Sequence, residues 1–173
     1  MNPQQAQEGL ASVTTARRRT IELRTYRHGG SIVTAWGLLW LSGYLAQQFV
    51  PQIAPWVWLI GWAAALIWTL TRPRSDYDLQ AFATWAVALA FMGLLAIVVK
   101  ADIRITAMLF GLVLSVSYAV LGIWAGKRFA ALAVLTLVSS CIGWWLVPQW
   151  LFLALAVGGG GTLLGGGLWL RRP

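Results

Sequence analysis

Asp76-Tyr77-Asp78 is the only acidic pair in the chain, and two carboxylates at that spacing have the oxygen chemistry to hold a divalent cation or to serve a transferase. The pair stands directly before an apolar run, where a carboxylate caps free backbone amides and opposes the positive end of a helix dipole. Capping is the preferred reading. Asp102, between Lys100 and Arg104, reads as part of a solvated charge cluster in a short loop. His28 is the only histidine and Cys141 the only cysteine. The chain by itself therefore supplies no bis-histidine haem site, no Cys/His metal site and no internal disulfide. There is no HExxH, no nucleophile elbow and no Walker-type glycine loop. These readings together predict a non-enzymatic protein with no cofactor and no metal.

The remaining residues of interest are uncharged. Gly158, Gly159, Gly160, Gly161, Gly165, Gly166 and Gly167 crowd one apolar stretch, and Gly161 with Gly165 forms a GxxxG pair that lets helix backbones approach closely. Gly122 with Gly126 forms a second pair. A sharper alternative is that the glycines unwind the helix and expose backbone dipoles to a solute. Packing is preferred because neighbouring helices can support a glycine-rich helix. Gln47, Gln48 and Gln52 cluster near one turn, Ser115, Ser117 and Tyr118 share an apolar run, and Ser139, Ser140 and Thr162 lie in the last two. Such groups hydrogen-bond between helices or line a path for a small polar solute. The candidate packing or solute-path set is thus Gly122, Gly126, Gly158, Gly161, Gly165, Gln47, Ser115, Ser139 and Thr162.

Elements that position such residues must be membrane helices. Only 10% of the 173 residues are charged, against about 25% in an ordinary soluble domain. Four stretches carry no Asp, Glu, Lys, Arg or His at all: Gly29 to Thr71, Leu79 to Val99, Ile105 to Gly126 and Phe129 to Leu170. A bilayer core of roughly 30 Å takes about 20 helical residues, so the middle stretches are one span each and the outer ones two. Each outer stretch is broken by the same tripeptide, Val50-Pro51-Gln52 and Val147-Pro148-Gln149, and proline marks a turn there. The expected architecture is an all-α, polytopic bundle of six transmembrane helices, with spans at about 30–49, 53–71, 79–99, 103–125, 129–147 and 149–170. Residues 1–29 form a basic tail and 171–173 a short one. Helices are preferred to a barrel because barrel strands would alternate polar and apolar residues, whereas these stretches are apolar on every face.

Orientation follows from Lys and Arg near the span ends, which stay on the cytoplasmic side. With six spans, Arg17, Arg18, Arg19, Arg24, Arg27, Arg72, Arg74, Lys127, Arg128, Arg171 and Arg172 share one side; Lys100 and Arg104 occupy the other. Both termini are expected in the cytoplasm, with the first span acting as an uncleaved anchor. The compact loops suit a bacterial inner membrane. The net charge of +8 is accounted for by orientation, and no nucleic-acid module fits in the tail. Twelve tryptophans suit interfacial anchoring, with Trp56, Trp58, Trp145 and Trp150 near one face and Trp68, Trp124 and Trp169 near the other. Trp40 and Trp62 fall at mid-span, where they either line a cavity or meet a carbonyl. The repeated Val-Pro-Gln turns suggest that the first and last hairpins are related, with Ser42 matching Ser139 and Gly61 matching Gly158.

No ionisable residue falls within a span, which argues against a proton-coupled or ion-coupled transporter. The leading expectation is an accessory or regulatory component that packs against itself or a membrane partner. The alternative is a passive facilitator or channel for a small neutral solute.

Overall fold

The computed structural model describes residues 12–13, 29–71 and 76–171, without the side chains of residues 76–82, 84, 124 and 125. The basic tail before Gly29 (apart from residues 12–13), Arg72, Arg74 and Arg172, and the side chains of Asp76, Asp78 and Trp124 lie outside the described residues, so the readings placed on them stay as expectations.

The fold is all-α. Helix α1 covers 29–49, α2 is Ala54–Leu70, α3 Asp76–Val98, α4 Ile103–Ala125, α5 Lys127–Leu146 and α6 Pro148–Leu170. The last two are composite. In α5 an α-helical part, Lys127–Cys141, widens to a π turn at Ile142–Leu146. In α6 a 3₁₀ turn, Pro148–Trp150, leads to α-helix at Leu151–Ala154, π-helix at Leu155–Gly160 and α-helix again at Gly161–Leu170. The glycine run is therefore not unwound: the helix stays continuous and expands by a π segment within it.

Local chemistry explains the boundaries. The Val-Pro-Gln turns close in the same way, with Ile53 N–H donating to Val50 O at 3.1 Å and Trp150 N–H to Val147 O at 2.8 Å. Proline fits inside such a turn because its fixed φ suits the bend and it has no amide to leave unpaired. Helix α3 ends where Lys100 takes φ 49° and Ala101 N–H reaches back to Ala96 O at 2.9 Å, the pairing that closes a helix with a left-handed residue. Asp102 then caps α4, its Oδ1 accepting from Ile105 N–H at 2.8 Å. Asp102 thus acts as a cap rather than only as a member of a solvated charge cluster. Gly126, at φ 113° and ψ 159°, turns the chain between α4 and α5.

Helices α4 and α5 lie along each other, α6 packs on α5, and α3 packs on α4. Helix α1 joins this group through Trp40, which stacks on Phe110 of α4 at 5.1 Å between ring centres. It also holds α2, where Trp36 meets Trp62 edge to face at 4.7 Å and donates from Nε1 to Thr69 Oγ1 at 3.3 Å. The buried centre is Trp40, Leu114, Leu132, Leu151, Leu155 and Leu163.

Large apolar side chains also cover the outside, with Ile123 81% and Ile97 76% exposed. Apolar surface on this scale is rare on a water-soluble monomer and marks contact with a membrane or another protein. Three helices, Ile103–Ile123, Lys127–Leu146 and Pro148–Leu170, are long and apolar enough to cross a membrane, and Ala54–Leu70 and Trp85–Val98 are shorter apolar helices.

Candidate packing and solute-path site

Helix α6 uses its glycines on two neighbours and leaves a third face open. Toward α5, a Cβ on Gly158 would stand 2.6 Å from Ser139 Cβ, and one on Gly166 would overlap Leu132. Toward α1, a Cβ on Gly159 would stand 2.8 Å from the Trp40 ring, one on Gly160 2.7 Å from Leu41 N, and one on Gly167 2.7 Å from Gly30 O. Successive residues of a helix turn by roughly 100°. Three glycines in a row therefore cover the arc facing both α1 and α5, and the helix wedges between them without side chains to hold it off. Gly161 and Gly165 have nothing within 4 Å of the Cβ position. The GxxxG pair read from the sequence thus lies on the free face, beside exposed Val157 and Leu168.

Gly122 and Gly126 separate in the same manner. Gly122 is a close-approach residue: a Cβ there would stand 2.8 Å from Ala130 Cβ and 2.9 Å from Ala130 N. Gly126 is the turn between the two helices, where φ 113° is reserved for glycine. One member of the pair packs; the other lets the chain reverse so that packing occurs.

Sequence reasoning did not single out the partner glycines on α1. A Cβ on Gly30 would stand 2.7 Å from Gly167 O, and one on Gly37 2.7 Å from Leu164 N. Gly30 meets Gly167, Gly37 lies over Leu163 and Leu164, and Gly160 lies over Leu41, so each glycine admits the backbone of the opposing antiparallel helix at its own point along the seam.

The hydroxyls of Ser115 and Ser139, and those of Thr136 and Ser140 beside them, turn back on their own helices. Ser115 Oγ donates to Gly111 O at 2.8 Å, Ser139 Oγ to Leu135 O at 2.7 Å, Ser140 Oγ to Thr136 O at 2.9 Å and Thr136 Oγ1 to Leu132 O at 2.8 Å. Ser140 also sits over the bare Cα of Gly111, so α4 and α5 close on a small polar stack. Ser139 and Gly158 are brought together; Ser115 and Ser117 are buried in α4. Thr162, half-buried, stays on α6, and Gln47, also half-buried, stays at the end of α1. Trp40 is 1% exposed among aromatic rings, packed on Phe110 and Tyr44.

Two ends of the fold carry polar ties. At the turn end, Gln48 Nε2 donates to Gln149 O at 3.4 Å and Arg104 donates to Pro148 O, so both neighbouring turns hold the second Val-Pro-Gln. The Oε1 of Gln48 is buried, and no donor among the described residues reaches it. At the basic end, Arg128 donates to Trp169 O at 3.3 Å with its guanidinium 5.3 Å from the indole centre. A cation there is favoured by the carbonyl end of α6 and by the ring face. Among the described residues no three of His, Cys, Asp and Glu come together as a metal site would require. No family model, no curated protein and no solved structure matches this chain.

Proposed function

We propose that the chain is a multi-pass integral membrane protein that works without catalysis, as an accessory or regulatory component that packs against a second copy or a membrane partner. Its six helices are taken as six spans, with both termini in the cytoplasm of a bacterium and the protein in the inner membrane. The observation that carries the reading is the open Gly161–Gly165 face on a helix whose other glycines are all in close contact. Glycine costs about 1 kcal/mol relative to alanine inside a helix. Gly158, Gly159, Gly160, Gly166 and Gly167 regain that in packing, whereas Gly161 and Gly165 gain nothing within one copy. Close approach of another transmembrane helix is the use such a face has in lipid, where association rests on backbone proximity rather than on the hydrophobic effect.

The test is in-membrane crosslinking of single-cysteine variants at Leu168 on a Cys141→Ser background, with and without Gly161→Leu and Gly165→Leu. Crosslinks to another copy or protein that both leucines abolish, in a protein that melts as the parent does, support the reading. Crosslinking that ignores the leucines would sink it.

A passive facilitator for a small neutral solute is the second reading, favoured by the buried, donor-free Oε1 of Gln48 at the turn end. Against it stand Ser115 and Ser139, whose hydroxyls are engaged with their own backbones.

A further inference from the structure

Helix α6 is tied at both ends. At its start Gln48 Nε2 donates to Gln149 O at 3.4 Å and Arg104 donates to Pro148 O. At its finish Arg128 donates to Trp169 O at 3.3 Å and Arg171 Nη2 to Thr34 Oγ1 at 3.2 Å. Between these ties lies the π segment Leu155–Gly160, a widened turn that carries one residue more than α-helix would over the same length. With both ends held, the extra residue cannot leave the helix, but it can travel along it. The amide at the edge of the segment is already shared: Gly161 N–H reaches the carbonyls of Ala156, Val157 and Gly158. It therefore stands between the i−5 bond of a π-helix and the i−4 bond of an α-helix.

Moving the π turn past Gly167 hands each place now held by residues 161–167 to the residue before it, a step of about 100° and about 1.5 Å. Gly165 then faces Leu132 as Gly166 does now, and Gly166 faces Gly30 O and Thr34 as Gly167 does now. Neither place has room for a Cβ, which would overlap Leu132 in the first and stand 2.7 Å from Gly30 O in the second. The run Gly165-Gly166-Gly167 is one glycine longer than the observed contacts require, and the spare one is the residue that this shift needs. On the open face, Gly160 and Leu164 replace Gly161 and Gly165. The buried place of Leu163 receives Thr162, the poorest fit, which keeps the shifted form in the minority.

We infer that the π segment of α6 is a switch: its passage beyond Gly167 turns Gly165 from the partner face onto α5 and puts Leu164 in its place, closing that face to a second helix. A GxxxG face works by backbone approach, and leucine at one of its two positions holds the other helix off. Gly165 thus serves the partner face in one arrangement and the α5 contact in the other. A partner bound to the open face holds the π turn where it is observed, because a ligand favours the state it binds. The inference rests on the partner reading above and names its regulation.

The test is disulfide formation within one copy of the purified full chain, on a Cys141→Ser background, with Leu132→Cys combined either with Gly166→Cys or with Gly165→Cys. The observed arrangement joins 132 to 166, and the shifted one joins 132 to 165. Thr162→Leu fills the place that Leu163 leaves, and the rate of the 132–165 disulfide relative to 132–166 rises about ten-fold, as filling a cavity of that size does. In the same Thr162→Leu variant, crosslinks from Leu168→Cys to another copy or protein in the membrane fall in step. An unchanged ratio overturns the inference. A raised ratio with undiminished crosslinks from position 168 overturns the regulatory role, since the partner face would then be indifferent to the shift. Absence of crosslinks from position 168 in the parent would instead remove the partner reading, while the disulfide ratio still reports the shift. Thr162→Met, a flexible side chain of similar volume, repeats the test if the leucine variant does not melt as the parent does.

Discussion

Gly30 and Gly167 face each other so closely that a Cβ placed on either would stand 2.7 Å from the carbonyl oxygen of the other. Thr34 completes the contact, donating from Oγ1 to Gly30 O at 2.7 Å and lying over Gly167. The first and last helices of the chain are thereby locked at their basic ends, backbone to backbone.

Because the obstacle is backbone rather than the tip of a side chain, Gly167→Ala must move one helix away from the other. The expected loss is about 1–3 kcal/mol, the usual range for overpacking, with Gly30→Ala similar. Gly165→Ala meets open space and should be neutral or stabilising by up to about 1 kcal/mol. Thermal melting in detergent checks all three. Equal behaviour of Gly165→Ala and Gly167→Ala would show that the seam is not a constraint.

Gly126 should be intolerant for a different reason. At φ 113° and ψ 159° it occupies a region essentially confined to glycine. Gly126→Ala should lower stability by about 1–3 kcal/mol and weaken the contact between Gly122 and Ala130 that the turn sets up. Comparison with Gly126→Asn in the same melting assay gives the check: asparagine should recover little, because its left-handed preference lies at much smaller ψ.

Lys100 offers the opposite case. It holds φ 49° at the end of α3, a position that glycine occupies at no steric cost. Lys100→Gly should raise stability by about 1 kcal/mol, seen as a higher melting temperature with the helix content unchanged. A lower melting temperature would mean that the ammonium makes a contact worth more than the strain.

These contrasts show which features the sequence made legible. The charge-free runs located the helices because each is an unbroken apolar stretch of helical length, and Val-Pro-Gln located two turns because proline has few places to go. Which face of α6 each glycine takes was not legible: Gly161 and Gly165 match GxxxG as well as any pair, yet only tertiary packing decides that Gly160 and Gly167 meet α1 instead. The π segments at Ile142–Leu146 and Leu155–Gly160 were hidden for the same reason, since a widened turn is selected by its neighbours and not by residue type. Trp40 and Trp62 both fall at mid-span in the sequence, yet Trp40 is 1% exposed and Trp62 only half-buried in the fold.

Ser115 and Ser139 separate the two functional readings. Each hydroxyl donates to a carbonyl four residues back in its own helix, a bond that adds little to an acceptor already serving the helix. Hydrogen bonds within membrane bundles average roughly 0.6 kcal/mol, so Ser115→Ala and Ser139→Ala should each cost no more than about 1 kcal/mol. Ser139→Leu, by contrast, should drive α6 away through Gly158, whose Cβ position already lies 2.7 Å from Ser139 Oγ. Uptake of small neutral solutes into liposomes carrying the parent and the two alanine variants then tests function directly. The accessory reading expects no flux above empty liposomes in any of them. Flux in the parent that either alanine abolishes would require the hydroxyls to leave their own helices and serve a solute, and the facilitator reading would take its place.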